Sequence, residues 1–375
     1  MRDQPVTLEG YQLIEEIYNS PRTLIYRGIS EADKKPVIIK LLHRDFPSFS
    51  ELVRFRHQYT ITKHLNLSGI VRPLHLHPYG NGLAMVMEDE GLIALKEFWK
   101  LENNSNFLAQ FLTIAIQLAN ILDDLHQQRI IHKDINPANI LVHPQSLQIK
   151  LIDFSIASQL PQEYIQLQPP TNLEGTLAYI APEQTGRMNR GVDYRSDFYA
   201  LGVTFYELLT GTLPFTSQDP AELVYSHLAK SPIPPQQINN SIPKILSNLI
   251  LKLMSKNPEE RYQTAFGLRY DLEKIQATEK EIKPFTLGAK DISDRFIISE
   301  KLYGRETEVK TLLAAFDRIT QSQSFANIEL MLVTGFSGIG KTVLVNEIHK
   351  PIYDKRATLL RENMSNCNEI FLFLL

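Results

Sequence analysis

The stretch Ile130-Ile131-His132-Lys133-Asp134-Ile135-Asn136-Pro137-Ala138-Asn139-Ile140-Leu141-Val142 decides how the rest of the chain is read. Apolar runs at its two ends predict short buried strands that hold the polar loop from either side. Inside the loop a carboxylate, Asp134, is followed five residues later by an amide, Asn139. Phosphoryl transfer to a hydroxyl needs such a pair: a carboxylate to accept the proton, and an amide oxygen to hold a metal ion.

Working outward, Phe107 to Gln127 has the spacing of a long apolar helix that runs directly into the loop. Ile149 to Ile152 reads as a strand ending in Asp153-Phe154-Ser155, and a polar segment follows to Gly175-Thr176. Upstream, Leu13-Ile14, Leu24-Ile25-Tyr26 and Val37-Ile38-Ile39 predict strands separated by turn residues. Glu51 to Leu65 has helical spacing, and Ile70-Val71 and Leu83 to Met87 read as strands. Lys40 closes the third run, and by itself that residue is either a strand-end charge reaching water or a phosphate ligand. Downstream, Val203 to Leu209 and Ile242 to Met254 predict helices. Between Ala277 and Asp294 the periodicity is lost and charge rises, which marks a linker.

Composition narrows the class. The chain has 375 residues, too many for one ordinary core, with 43% hydrophobic and 22% charged residues, the balance of a soluble globular protein. A net charge of -3 leaves no basic excess for nucleic acid. The lone cysteine, Cys367, rules out an internal disulfide framework and fits a cytoplasmic setting. The N-terminus lacks the apolar core of a signal peptide, and no apolar run is read as membrane-spanning, so no membrane partner is expected. The closing Ile370 to Leu375 is apolar but too short to cross a bilayer. The histidines lack metal-ligand spacing, and His43, His57, His64, His75, His77, His126 and His143 read mostly as surface residues.

From Tyr11 to about Ile275 the order of these elements resembles the eukaryotic-type Ser/Thr protein kinase domain. The loop resembles H-R-D-L-x-x-x-x-N, Asp153-Phe154-Ser155 resembles D-F-G, and Ala181-Pro182-Glu183 matches A-P-E. The resemblance implies an α+β, two-lobed fold, ATP and Mg²⁺ as cofactors, and a protein substrate. It assigns Lys40 to the nucleotide phosphates, Met87 to the gatekeeper position, and Glu88 to Glu90 to a hinge whose backbone binds adenine. It makes Asp134 the proton acceptor, Asn139 and Asp153 the metal ligands, and Asp197 the buried brace beneath the loop. Arg261 is implied as the partner of Glu183. His132 is implied as a structural brace. Thr176 resembles the threonine that contacts the catalytic aspartate in Ser/Thr kinases.

The small lobe departs from the family's pattern. No glycine remains between Tyr18 and Thr23, where the glycine-rich loop belongs, and Arg22 there is either a phosphate contact or a solvated side chain. Gln58 stands where the helix glutamate that pairs with the lysine is expected, and Ser155 replaces the D-F-G glycine. Lys133 replaces the arginine that clamps an activation-loop phosphate, and Asn136 replaces a catalytic lysine. These changes leave two expectations: a weak kinase, or an ATP-binding pseudokinase acting as a scaffold or switch.

Near the C-terminus, Gly335-Phe336-Ser337-Gly338-Ile339-Gly340-Lys341-Thr342 follows the strand Leu330 to Thr334 and precedes a predicted helix through Ile348. This is the setting in which a P-loop binds phosphates, with Lys341 reaching them and Thr342 holding Mg²⁺. With Tyr303-Gly304-Arg305-Glu306 before it, the unit resembles an AAA-like ATPase. No acidic Walker B strand fits before Leu375, so a truncated α/β P-loop fragment is expected. The predicted organisation is a kinase domain at 11–275, a linker at 276–295 and the ATPase fragment at 296–375. That order resembles the start of large multi-sensor signal-transduction kinases, implying downstream sensor or histidine-kinase modules.

Overall fold

The structure is a computed structural model that describes residues 7–101, 106–159, 174–188, 191–278, 285–292, 304–321, 329–336, 339, 341, 344, 359–363 and 369–374. Strands β1 (Tyr11–Asn19), β2 (Thr23–Ser30) and β3 (Pro36–Leu42) are followed by helix α1 (Phe49–Thr62), then β4 (Pro73–Tyr79) and β5 (Gly82–Glu88). These strands form an antiparallel sheet in the order β1-β2-β3-β5-β4. Alternation along β3 sends Val37, Ile39 and Leu41 into one buried cluster with Ala84 and Val86. Ile38 and Leu42 go to the other face, where Phe55 of α1 packs with Leu83, Met85 and Met87. Side chains two apart share a face, so Lys40 points to the α1 side. The strand Ile70-Val71 expected from the sequence is instead an isolated bridge of Ile70 to Leu151, and the strand itself begins at Pro73.

A second, mostly helical lobe follows. It contains β6 (Ile93–Ala94), α2 (Leu95–Leu101), α3 (Phe107–Gln127), β7 (Ile140–Val142) and β8 (Ile149–Leu151). After a pair of 3-10 turns come α4 (Arg195–Thr210), α5 (Pro220–Ala229), α6 (Pro235–Ile238), α7 (Lys244–Leu253) and α8 (Ala265–Ala277). The large core gathers α3, α4, α7 and α8 around Phe111, Leu118, Phe198, Leu201, Leu249 and Leu272, each at 0% exposure. At roughly 25 cal/mol per Å² of apolar surface, each such side chain contributes about 1.5–3 kcal/mol.

By length and composition alone, α3 is apolar enough to cross a membrane, against the expectation that no run is. Its charged residues, Asp123 and Asp124, lie together near its C-terminal end, so the rest of the helix has a high hydropathy. Its uncharged polar positions are used inside the fold: Gln117 Nε2 donates to Leu147 O at 2.8 Å, and Asn120 accepts from Arg269 at 2.9 Å.

The stretch marked as linker by its lost periodicity is partly docked. Gly288 N donates to Asp271 Oδ2 at 2.6 Å, and Asp291 accepts from Gln263 N and Thr264 N at 2.8 Å each. The Asp291 bonds satisfy backbone groups at the start of α8, a kind of contact that hydrophobic periodicity does not signal.

The C-terminal unit contains α9 (Glu306–Gln321), β9 (Glu329–Thr334), β10 (Leu359–Asn363) and β11 (Glu369–Leu374). The closing apolar run forms β11, which pairs antiparallel with both β9 and β10. Where the parallel sheet of an α/β P-loop fold is expected to continue, all described pairings are therefore antiparallel. The apolar β11 covers an edge of β9 that would otherwise present unpaired backbone groups.

Candidate active site

The loop from His132 to Asn139 is held from below by one side chain. Asp197 at the start of α4, 0% exposed, accepts from His132 N at 3.0 Å, Lys133 N at 2.8 Å and His126 Nε2 at 3.0 Å. Burial pushes its pKa up, but the hydrogen bond from His126 and the nearby histidines outweigh this, so its carboxyl titrates below the usual range. The fixed backbone includes Lys133 at φ 66° and Asp153 at φ 63°, left-handed positions that are uncommon for side chains other than glycine. His132 is a brace, as implied: its Nε2 donates to Ile152 O at 3.0 Å and its ring meets the Phe154 edge at 4.7 Å. His126, grouped with surface residues in the sequence, is instead 4% exposed and serves Asp197.

Above this floor the expected residues converge. Asp134 accepts from Asn139 Nδ2 at 2.9 Å through one carboxylate oxygen and from Thr176 N at 2.8 Å through the other. Thr176 thus meets the aspartate through its backbone, while its hydroxyl accepts from Asn136 Nδ2 at 3.4 Å. Gly175 stands at φ 94°, and a Cβ there would come within 3.3 Å of Lys133 O, so the approach of this segment depends on glycine. Asn136 is 4% exposed and turned into the loop, donating to Asp134 O at 3.1 Å and accepting from Ala138 N at 3.0 Å. It braces the segment and does not extend outward as a lysine there would.

Lys40 reaches across from β3. Its Nζ donates to Gln58 Oε1 at 2.9 Å and to Asp153 Oδ2 at 3.2 Å. Burial raises the Asp153 pKa, but the Lys40 charge and hydrogen bonds from Ser155 and Lys40 bring it below the usual carboxylate range. With its amide nitrogen committed to Asp134, the Asn139 side-chain oxygen carries no hydrogen bond among the described residues. That oxygen and the Asp153 carboxylate are hard donors of the type that suits Mg²⁺.

Two side chains of the 88–90 segment are held in ion pairs. Asp89 binds Arg27 at 2.6 Å, Glu90 pairs with Lys150 of β8, and the Asp89 N–H donates to Pro36 O at 3.2 Å. The glycine-free β1–β2 turn is closed by Ser20, whose hydroxyl accepts from Thr23 N at 3.0 Å and donates to Thr23 O at 3.1 Å. Arg22 is exposed on that turn and adds, after bonds from Ser48, to the groups holding Glu51 low. Glu183 and Arg261 form a buried bidentate pair at 2.6 and 2.8 Å.

Sequence reasoning missed two residues, Arg54 and Glu174, which are 3.0 Å apart across 120 positions. Their separation left no local pattern to find. In the C-terminal unit, Lys341 Nζ donates to Gly335 O at 2.7 Å and Phe336 O at 2.8 Å. Gly338, Gly340 and Thr342 lie outside the described residues.

Comparison with known proteins agrees with this arrangement. Residues 19–270 match the protein kinase domain, and residues 301–374 match the AAA ATPase domain. The chain is 32% identical to a probable serine/threonine-protein kinase of Clostridium perfringens, over 76% of this chain and 40% of that protein. It is 33% identical to the serine/threonine-protein kinase PknB of Mycobacterium tuberculosis, over 73% of this chain and 45% of that protein. It is also 32% identical to hybrid signal transduction histidine kinase G of Dictyostelium discoideum, over 64% of this chain and 10% of that protein. The chain therefore spans less than half the length of each of these relatives. The Asp134 loop braced by Asp197, the Lys40–Asp153 pair, and a domain match over most of the chain agree: the chain belongs to the protein kinase family, with an AAA ATPase domain match following its kinase domain.

Proposed function

We propose that this chain is an ATP- and Mg²⁺-dependent Ser/Thr protein kinase, acting in signal transduction. The observation that carries the reading is the pairing of Lys40 with Asp153 and of Asn139 with Asp134, on two segments joined by Ile152 N donating to Asn139 O at 3.0 Å. Asp134, oriented through both oxygens, accepts the proton of a substrate hydroxyl as its oxygen bonds to the γ-phosphorus and the bond to the β,γ-bridging oxygen breaks, releasing ADP. Lys40 holds the nucleotide phosphates as a point charge. Asn139 and Asp153 would hold Mg²⁺, which supplies charge neutralisation for the phosphates. Asn136 and Thr176 keep the Asp134 segment in register. The hinge backbone from Glu88 to Glu90 binds the base.

A second reading, an ATP-binding pseudokinase that acts as a scaffold or switch, is favoured by Gln58 beside Lys40 and by the rigid glycine-free turn at Ser20. The test is transfer from ATP to a generic protein acceptor, with either Mg²⁺ or Mn²⁺. Transfer by the wild type that is lost in Asp134→Asn, while ATP still raises the melting temperature, supports the kinase. ATP-dependent stabilisation without any transfer by the wild type transfers support to the pseudokinase.

The P-loop residues Gly335, Gly338, Gly340, Lys341 and Thr342 are proposed as a second nucleotide site, expected to lose its share of the ATP-induced shift in Lys341→Ala. The likeness to a hybrid histidine kinase supports a place at the head of a longer signalling protein, with sensor or histidine-kinase modules as its partners. A cytoplasmic setting fits the single Cys367.

A further inference from the structure

Gln58 is neutral, so Lys40 lacks the acidic partner that would tie α1 electrostatically to the cleft. The helix is nevertheless held against the segment that carries Asp153 and Thr176. His57 Nε2 donates to Ala157 O at 2.8 Å, just past Asp153. Four residues before Gln58, and so on the same side of the helix, Arg54 binds Glu174 at 3.0 Å. Glu174 is two residues from Thr176, and the Thr176 N–H is the one that orients Asp134. Only Gly175 lies between them. A charge at the outer turn of α1 is thus connected through three consecutive residues to the proton acceptor.

We propose that Arg54 and Glu174 are positioning residues for phosphoryl transfer. Together they supply, one turn before Gln58 on α1, the inter-lobe ion pair that Gln58 cannot make with Lys40. The proposal rests on the kinase reading above. The pair is half-exposed, with 40% and 48% of its side-chain surface accessible, so its contribution to global stability is small and sensitive to salt. A merely structural surface pair would leave turnover unchanged when broken, which separates the two roles.

The test compares Arg54→Ala, Glu174→Ala, the swap Arg54→Glu with Glu174→Arg, and Arg54→Ala combined with Gln58→Glu. Turnover at saturating ATP, melting temperature and hydrogen exchange across α1 are read for each. Each single variant is expected to lower turnover about threefold to fivefold with little change in melting temperature. The swap should recover most of that loss. Gln58→Glu should also recover it, by restoring an acid beside Lys40. Unchanged turnover in the single variants, or no recovery in the swap, overturns the proposal. If the wild type transfers no phosphate, the kinase reading fails separately, and exchange in α1 still decides. Faster exchange in Arg54→Ala that the swap reverses supports the positioning role, and unchanged exchange overturns it.

Discussion

Lys40 Nζ and Gln58 Oε1 meet at 2.9 Å, a hydrogen bond in the place where an ion pair would join β3 to α1. A charge-assisted bond to a neutral amide is weaker than one between two charges. Gln58 is 6% exposed, so an acid placed there would act with little solvent screening. Gln58→Glu is therefore expected to strengthen the hold on Lys40 and improve use of ATP about threefold to tenfold. Steady-state kinetics against ATP concentration checks this. Loss of ATP binding in Gln58→Glu would contradict the assigned geometry.

Asp197 is predicted to carry part of the chain's acid sensitivity. Its folded pKa lies below the ordinary aspartate value, so it binds fewer protons folded than unfolded. Its stabilising contribution is complete above the unfolded pKa of about 3.9 and is lost as pH falls through the lower folded value. Asp197→Asn removes that contribution and leaves donors of the loop poorly matched, at a cost of about 2–4 kcal/mol. Urea unfolding between neutral pH and pH 3 should show lower stability in the variant and a flatter decline with acid.

The buried pair of Arg261 and Glu183 predicts an asymmetric response. Arg261 also donates to Ser255 O at 2.8 Å and Arg195 O at 2.8 Å. Arg261→Ala leaves a buried carboxylate without its partner, and about 3–5 kcal/mol should be lost. Arg261→Lys should recover little, because an ammonium cannot reproduce the fork of donors. Denaturant melts of both variants test the difference, and near-complete rescue by lysine would refute it.

Gly267 controls the docking of residues 285–292. A Cβ at that position would fall 2.6 Å from the Asp291 Cβ, too close for the present packing. Gly267→Ala is expected to displace Asp291 from Thr264 and Gln263 while sparing the helix, since alanine is the better helix former. Faster hydrogen exchange at Gln263 and Thr264, and cleavage within 285–292 by limited proteolysis, are the expected signs. Exchange identical to the wild type at both positions would count against the docked arrangement.

Much of the fold and site was legible because it is written locally. Asp134 and Asn139 share one loop between apolar runs, and Phe107 to Gln127 forms α3 over the residues its periodicity marks. Lys40 was legible as the polar residue closing the run Val37 to Ile39, although β3 continues through Leu42, and the order of the motifs identified the two lobes. Other features were not legible because no short-range pattern encodes them. The Arg54–Glu174 contact spans 120 positions, and the His126–Asp197 bond spans 71. Residues 285–292 form no helix or strand and so lack periodicity, yet Phe285 and Leu287 pack on the core while carboxylate–amide bonds hold Gly288 and Asp291.

The sequence by itself determined which chemical groups are available: the Asp134 and Asp153 carboxylates, the Asn139 amide, the Lys40 amine, and a neutral amide at Gln58. Tertiary structure alone decided how they are held. It turned Asn136 inward, brought the Thr176 backbone to Asp134, and placed Arg54 against Glu174. The physical reason is that chemistry follows from side-chain identity, whereas positioning follows from long-range hydrogen bonds and ion pairs formed only once the lobes have packed.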